Sequence, residues 1–285
     1  MTDLDVLAEF LQLLRSRSGS EHTVSNYHRQ LLRFRENHGD LLAAQKSDIR
    51  AYQRYLSEDR GLTAGSVRFT LAVLKSFYKF CVDEDILEKS PCAGIVRPKL
   101  PVRVLNPLRH KEVQKLIESC DIDSKKIHVR NRVIVEFLLA TGLRRSELAN
   151  LKMIDVDLKS RSFVVIGKGN KQRRVFFSHQ VKESLSQYIQ ERPSSIYDTL
   201  FLTQTGQPLT HWSIYLIVKK ALRDLGLPGS THTLRRTYAT SLYKAGMDIY
   251  KLQKLMGHTS IQTTTGYVQM CDEDLRDSYD EATAL

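Results

Sequence analysis

Residues 4–17, LDVLAEFLQLLRSR, place apolar side chains at helical spacing and predict a first helix. In TVSNYHRQLLRFREN (23–37), Val24, Tyr27, Leu31 and Phe34 form one apolar stripe, while Ser25, Arg29 and Arg33 lie off it. SDIRAYQRYLSED predicts a third helix behind a Ser47 N-cap. TAGSVRFTLAVLKSFYKFCVDEDI predicts a long fourth helix, with Val67, Leu71, Leu74 and Tyr78 inward and Arg68 and Lys75 outward. The first hundred residues therefore read as a four-helix unit with basic polar faces.

The pattern then breaks. EKSPCAGIVRPKLPVRVLNPL (88–108) holds four prolines and little periodicity, so its middle reads as an extended linker. Helical spacing returns at RHKEVQKLIESC, and RNRVIVEFLLATG reads as a buried helix ending at Gly142. DVDLKSRSFVVIGKGNKQRRVFFS alternates short β runs with Gly/Lys turns, the pattern of a small antiparallel sheet. Helices resume at HQVKESLSQYIQER, THWSIYLIVKKALRDLG, LRRTYATSLYKAG and DIYKLQKLMG. The expected architecture is mainly α with a small antiparallel sheet, in two domains: a helical unit at 1–97, a linker at 98–107 and a second domain at 108–285.

Charge sharpens this picture. The 285-residue chain carries a net charge of +11. Residues 1–100 are nearly balanced, while 101–270 carry 27 Lys and Arg against 13 Asp and Glu. A strongly basic body suits a polyanion such as nucleic acid, although a solvated basic surface has the same composition. No apolar run reaches the length of a membrane helix, and the start MTDLDVLAEFLQLL lacks the basic, then apolar form of a signal peptide. Cys81, Cys92, Cys120 and Cys271 are scattered without a CxxC, as expected of reduced thiols in the cytoplasm.

Four stretches carry the chemistry: ATGLRRSELANL (140–151), VVIGKGNKQRR (164–174), HTLRRTYAT (232–240) and LMGHTSIQTTTGY (255–267). In this order and spacing they resemble the tyrosine recombinase (phage integrase/Xer) family. The N-terminal helices resemble that family's core-binding (SAM-like) domain. The resemblance implies a catalytic set of Arg144, Lys168, His232, Arg235, His258 and Tyr267, with no metal or cofactor. A phosphodiester is anionic, and its transition state gathers charge on the nonbridging oxygens. Arginines match that geometry with paired donors and stay charged, so Arg144 and Arg235 suit a phosphate clamp. Tyr267 would attack phosphorus and form a 3′-phosphotyrosine, storing the bond energy so that rejoining needs no ATP. Lys168 would protonate the leaving 5′-oxygen and His232 would accept the tyrosine proton. His258 would hydrogen-bond the phosphate or the attacking oxygen.

Taken singly, these residues have ordinary readings. Arg144 and Arg145 form a basic pair that only the resemblance separates. Lys171 competes with Lys168, because such turns are common on solvated hairpins. Lone histidines are more often buried hydrogen-bonding groups, and a lone tyrosine is more often core. Glu147 reads as an orienting partner within its helix. Gly266 and the threonines before Tyr267 make a poor helix and a flexible approach. Met256 replaces the family's leucine before Gly-His. Arg236 stands where many relatives have histidine and is expected to add phosphate affinity. Arg29, Arg33, Arg68, Lys75 and Lys171 complete the candidate DNA contacts.

The resemblance implies a clamp around duplex DNA bearing inverted-repeat core sites. It also implies strand exchange through a Holliday junction in a homo-tetramer assembled from monomers. Accessory proteins are left open. Two rivals remain: a type IB topoisomerase-like enzyme, sharing the tyrosine and arginines, and a catalytically idle DNA-binding architectural protein. The compact length resembles Xer-type and transposon-borne resolvases, leaving dimer resolution, cointegrate resolution and integration of a mobile element open. The acidic tail CDEDLRDSYDEATAL (271–285) is expected to dock on a neighbouring subunit, with Leu275 and Tyr279 as anchors.

Overall fold

The computed structural model describes residues 2–18, 21–100, 107–120, 126–167 and 172–268. The chain divides into two compact units, Met1–Arg103 and Val104–Leu285. Among the described residues, no helix is long and apolar enough to cross a membrane.

The first unit consists of helices α1 (Asp3–Ser18), α2 (Glu21–His38), α3 (Lys46–Ser57) and α4 (Ala64–Asp83). The α2 stripe is buried at Val24, Leu31 and Phe34, whereas Ser25, Arg29 and Arg33 are exposed. Leu71, Leu74, Phe77 and Tyr78 of α4 are fully buried. Phe10 meets Phe77 edge-on at 5.5 Å, and Phe34 meets Tyr52 at 4.9 Å. Buried Asp3 accepts from Arg35 at 2.7 Å and from the Leu41 backbone N–H at 3.1 Å, pinning α1 to α2.

Two expectations for this unit change. The cap of α3 is at Gln45 rather than Ser47: the helix starts at Lys46, and the Asp48 carboxylate reaches back to the Gln45 N–H at 2.8 Å. An acid at the third helical position satisfies that orphan donor without help from Ser47. Arg68 and Lys75 share a face, but they are half-buried and do not simply project outward. Arg68 donates to the Pro98 carbonyl at 3.1 Å and Lys75 to the Ile95 carbonyl at 3.0 Å. They fasten the segment that follows α4.

The second unit contains α5 (His110–Ser119), α6 (Lys126–Thr141), α7 (Arg145–Asn150), strands β1 (Val156–Asp157), β2 (Ser162–Ile166) and β3 (Gln172–Phe176), and helices α8 (His179–Glu191), α9 (His211–Asp224), α10 (Thr231–Lys244), α11 (Ile249–Met256) and α12 (Ile261–Val268). Helix α6 lies in the core. Its Val133, Ile134, Val135, Phe137 and Leu138 are at most 1% exposed, and α8 and α10 pack on it. Each such side chain contributes roughly 1.5–3 kcal/mol of burial free energy. The sheet is antiparallel in the order β1-β2-β3, with Phe163 opposite Val175 and Val165 opposite Arg173. Helix α11 packs beside β3. A small cluster of Tyr238, Ala239, Leu252 and Met256, with Tyr267 against it, joins α10, α11 and α12.

Candidate active site

Helix α6 ends because Gly142 adopts φ +60°, a left-handed value that closes the helix after Thr141. A Cβ at Gly142 would sit 2.3 Å from the Tyr238 ring, so glycine is required by space as well as by φ. Two residues on, Arg144 occupies the N-cap position of α7. The Glu147 carboxylate accepts from the Arg144 backbone N–H and from its Nη1, both at 2.8 Å. This separates Arg144 from its neighbour: Arg145 instead lies over the Tyr215 ring of α9 at 5.4 Å.

His232 and Arg235 sit three apart on α10, which begins at Thr231 behind a Ser230 cap, so both project from one face. His232 is exposed, whereas Arg235 is 4% exposed. Arg235 donates to the carbonyls of Gly142 and Met256, and from Nη2 to His258 Nε2 at 3.1 Å. Desolvation, then the nearby Arg144 charge, lowers its pKa to about 10, which still leaves it charged at neutral pH. Desolvation and the charges of Arg145 and Arg235 lower the pKa of His232 as well.

Helix α11 ends at Gly257, with φ +63°. Its last carbonyls are orphan acceptors at the negative end of a helix. Three guanidinium groups meet three consecutive carbonyls there. Arg173 donates to Leu255 at 2.9 Å, Arg235 to Met256, and Arg144 to Gly257 at 3.4 Å. His258 follows directly. Its Nδ1 pairs with Thr264 Oγ1 at 3.0 Å, and its ring stacks on Tyr267 at 5.8 Å between centroids.

The residues before Tyr267 form helix α12, not the flexible approach that glycine and threonines suggest. Thr264 is fully buried against His258, and Tyr267 packs on the Tyr238–Leu252–Met256 cluster. Tertiary contacts outweigh weak intrinsic helix preference at these positions.

The described structure thus joins Arg144, Arg235, His258 and Tyr267 through contacts, and places His232 on the Arg235 face of α10. Arg236 follows on the same helix, half-buried. Lys168, Lys171 and the acidic tail lie outside the described residues. Among the described residues, no three His, Cys, Asp or Glu converge as a metal site.

Sequence reasoning passed over Arg173. On β3 it lies two residues before buried Val175, so strand alternation turns it inward while Arg174 is exposed. A basic residue on the inward face of a strand needs a buried partner, and that was the available signal. The partner is Glu147, which takes Arg173 Nη1 and Nη2 at 2.9 and 2.8 Å. Burial alone would raise the Glu147 pKa. The forked hydrogen bonds and charge of Arg173, with help from Arg144, instead hold it at about 2.

A basic cluster of two arginines, two histidines and a tyrosine has the makings of phosphodiester chemistry. The Phage integrase family model matches residues 106–274, and the model of the phage integrase N-terminal SAM-like domain matches 7–85. Tyrosine recombinase XerC of Staphylococcus carnosus (strain TM300) is 32% identical over 280 residues, covering 95% of this chain and 94% of the relative. Tyrosine recombinase XerC of Pediococcus pentosaceus is 30% identical over 292 residues, covering 97% of each. The Tn1549 transposon integrase, solved with transposon right end DNA, superposes with a TM-score of 0.81 over 100% of both chains at 21% identity. XerH recombinase bound to palindromic difH superposes with a TM-score of 0.75 over 96% of this chain and 83% of that one, at 24% identity. The chain therefore belongs to the phage integrase family, the tyrosine recombinases, DNA-binding enzymes that transfer DNA strands.

Proposed function

We propose that this chain cuts and rejoins duplex DNA at paired inverted-repeat sites, with Tyr267 as nucleophile. The observation that carries the reading is the contact chain from Tyr267 through His258 to Arg235. Tyr267 Oη attacks the scissile phosphorus and gives up its proton to His232, whose lowered pKa leaves it neutral at pH 7. The bond to the 5′-oxygen breaks as that oxygen takes a proton from Lys168, leaving a 3′-phosphotyrosine and a free 5′-hydroxyl. Arg144 and Arg235 stabilise the charge on the nonbridging oxygens. Rejoining reverses these steps on the partner strand, through a Holliday junction in a tetramer of this chain. Similarity to XerC proteins favours the resolution of DNA multimers, and the likeness to the Tn1549 integrase keeps movement of a mobile element as the second reading.

The test is a covalent adduct on a denaturing gel, formed in EDTA with a nicked duplex selected for binding from a random pool. Tyr267→Phe removes only the hydroxyl, so DNA binding should persist and the adduct should vanish. An adduct from Tyr267→Phe, or strict dependence on Mg²⁺, would overturn the reading.

A further inference from the structure

We infer that Arg173 is a positioning residue for strand cleavage, acting through Glu147 on Arg144 and through the α11 terminus on His258. The inference rests on the reading of Tyr267 as nucleophile and deepens it. Arg173 is 10% exposed at its side chain, against 34% for Arg144, so of the two it is Arg144 that faces solvent. The guanidinium of Arg173 spends its fork on both oxygens of Glu147 and its Nε–H on the Leu255 carbonyl. It therefore ties its own strand, β3, to the start of α7 and the end of α11.

The geometry has a chemical consequence. Glu147 is 6% exposed at its side chain and shares its two oxygens between two arginines. With Arg173 in place, the Arg144 guanidinium reaches only Glu147 Oε1, through Nη1, while Oε2 takes the Arg144 backbone N–H. Without Arg173, a buried carboxylate would keep one cationic partner and draw the Arg144 guanidinium onto both oxygens, away from a phosphate. The same loss frees the Leu255 carbonyl, two residues before Gly257. Gly257 fits this packing because a Cβ there would lie 3.0 Å from Arg173 Nη1. A lysine keeps the charge of Arg173 but cannot make the fork.

Arg173→Lys and Arg173→Gln test this in the full chain, alone and with Glu147→Gln. The probe is the nicked duplex above, made also with sulfur at the bridging 5′ position, which leaves without an acid. Both variants should bind the duplex within about threefold of wild type, while adduct formation slows about 10²-fold, the scale of a misplaced catalytic group. The sulfur substrate should not restore the rate, because the defect lies in the clamp and not in the acid. Adding Glu147→Gln should cost little more, since both changes act through one contact. Wild-type rates from both variants would overturn the inference. So would rescue by sulfur, which moves the role to the acid, or a binding loss as steep as the rate loss, which makes it a matter of folding or DNA affinity. A wild-type protein that forms no adduct would instead sink the assignment of Tyr267.

Discussion

Arg235 donates through Nη2 to Nε2 of His258 at 3.1 Å, which fixes the tautomer of that histidine. Arginine has no acceptor, so Nε2 must carry the lone pair. Nδ1 then carries the proton and donates to Thr264 Oγ1 at 3.0 Å. Desolvation, then the positive charges of Arg235 and Arg144, lowers the His258 pKa to about 4.

The pH dependence follows. Histidine in an unfolded chain titrates near 6.5. Between about 4 and 6.5 the folded state leaves His258 neutral while the unfolded state binds a proton. Its contribution to stability is thus fully present above 6.5 and is lost as pH falls through 4. The imidazole NMR signals of His258 should titrate near pH 4 in the free protein, and Arg235→Gln should move that midpoint upward. A wild-type midpoint near 6.5 would refute the neutral, arginine-bound histidine.

Lys168 is the proposed acid, with Lys171, three residues on in the sequence, its competitor. Lys168→Ala should slow adduct formation by roughly 10²–10⁴-fold, the range for a general acid. Sulfur at the bridging 5′ position should restore most of that rate, in contrast to its failure with Arg173 variants. Rescue of Lys171→Ala alone would transfer the role to Lys171.

Gly142 closes α6 two residues before Arg144, and its carbonyl accepts from Arg235. Ala at φ +60° is strained, and its Cβ would press into the Tyr238 ring. Gly142→Ala should destabilise the catalytic unit by about 2–4 kcal/mol, combining left-handed strain with overpacking. It should also displace the carbonyl that Arg235 holds. Urea denaturation reads the first effect and adduct formation the second. An unshifted midpoint with a full cleavage rate would show that the loop relaxes without cost.

Much of this was legible in the chain. Apolar periodicity located α2, α4 and the buried α6, since each buries a regular stripe. The motif order singled out Arg144, Arg235, His258 and Tyr267, which the fold brings into contact with one another or with the α11 terminus. Helix α12 was not legible, because its stability comes from Thr264 and Tyr267 packing on other helices. Arg173 was hidden by composition: beside Arg174 it looks like one more surface charge. Only the sense of the strand reveals that it points inward. The outward reading of Arg68 and Lys75 failed for a related reason. Being off the apolar stripe does not decide whether a charge meets solvent or a neighbouring carbonyl.

That difference makes the DNA grip of the first unit testable. Arg29 and Arg33 are exposed and four apart on α2, so they share one open face. Arg68 and Lys75 are held by the Pro98 and Ile95 carbonyls. Each phosphate contact adds about 0.9 to the slope of log affinity against log salt. Replacing Arg29 and Arg33 with Ala should therefore reduce that slope by roughly two and leave the melting temperature nearly unchanged. Replacing Arg68 and Lys75 should do the reverse. The salt slope should hold, while stability falls by roughly 1–3 kcal/mol as two charged hydrogen bonds are lost. Binding titrations from low to moderate salt, beside thermal melts of the same proteins, separate the two pairs. A flattened slope for the Arg68 and Lys75 variant would mean that these side chains leave their carbonyls for phosphates when DNA binds.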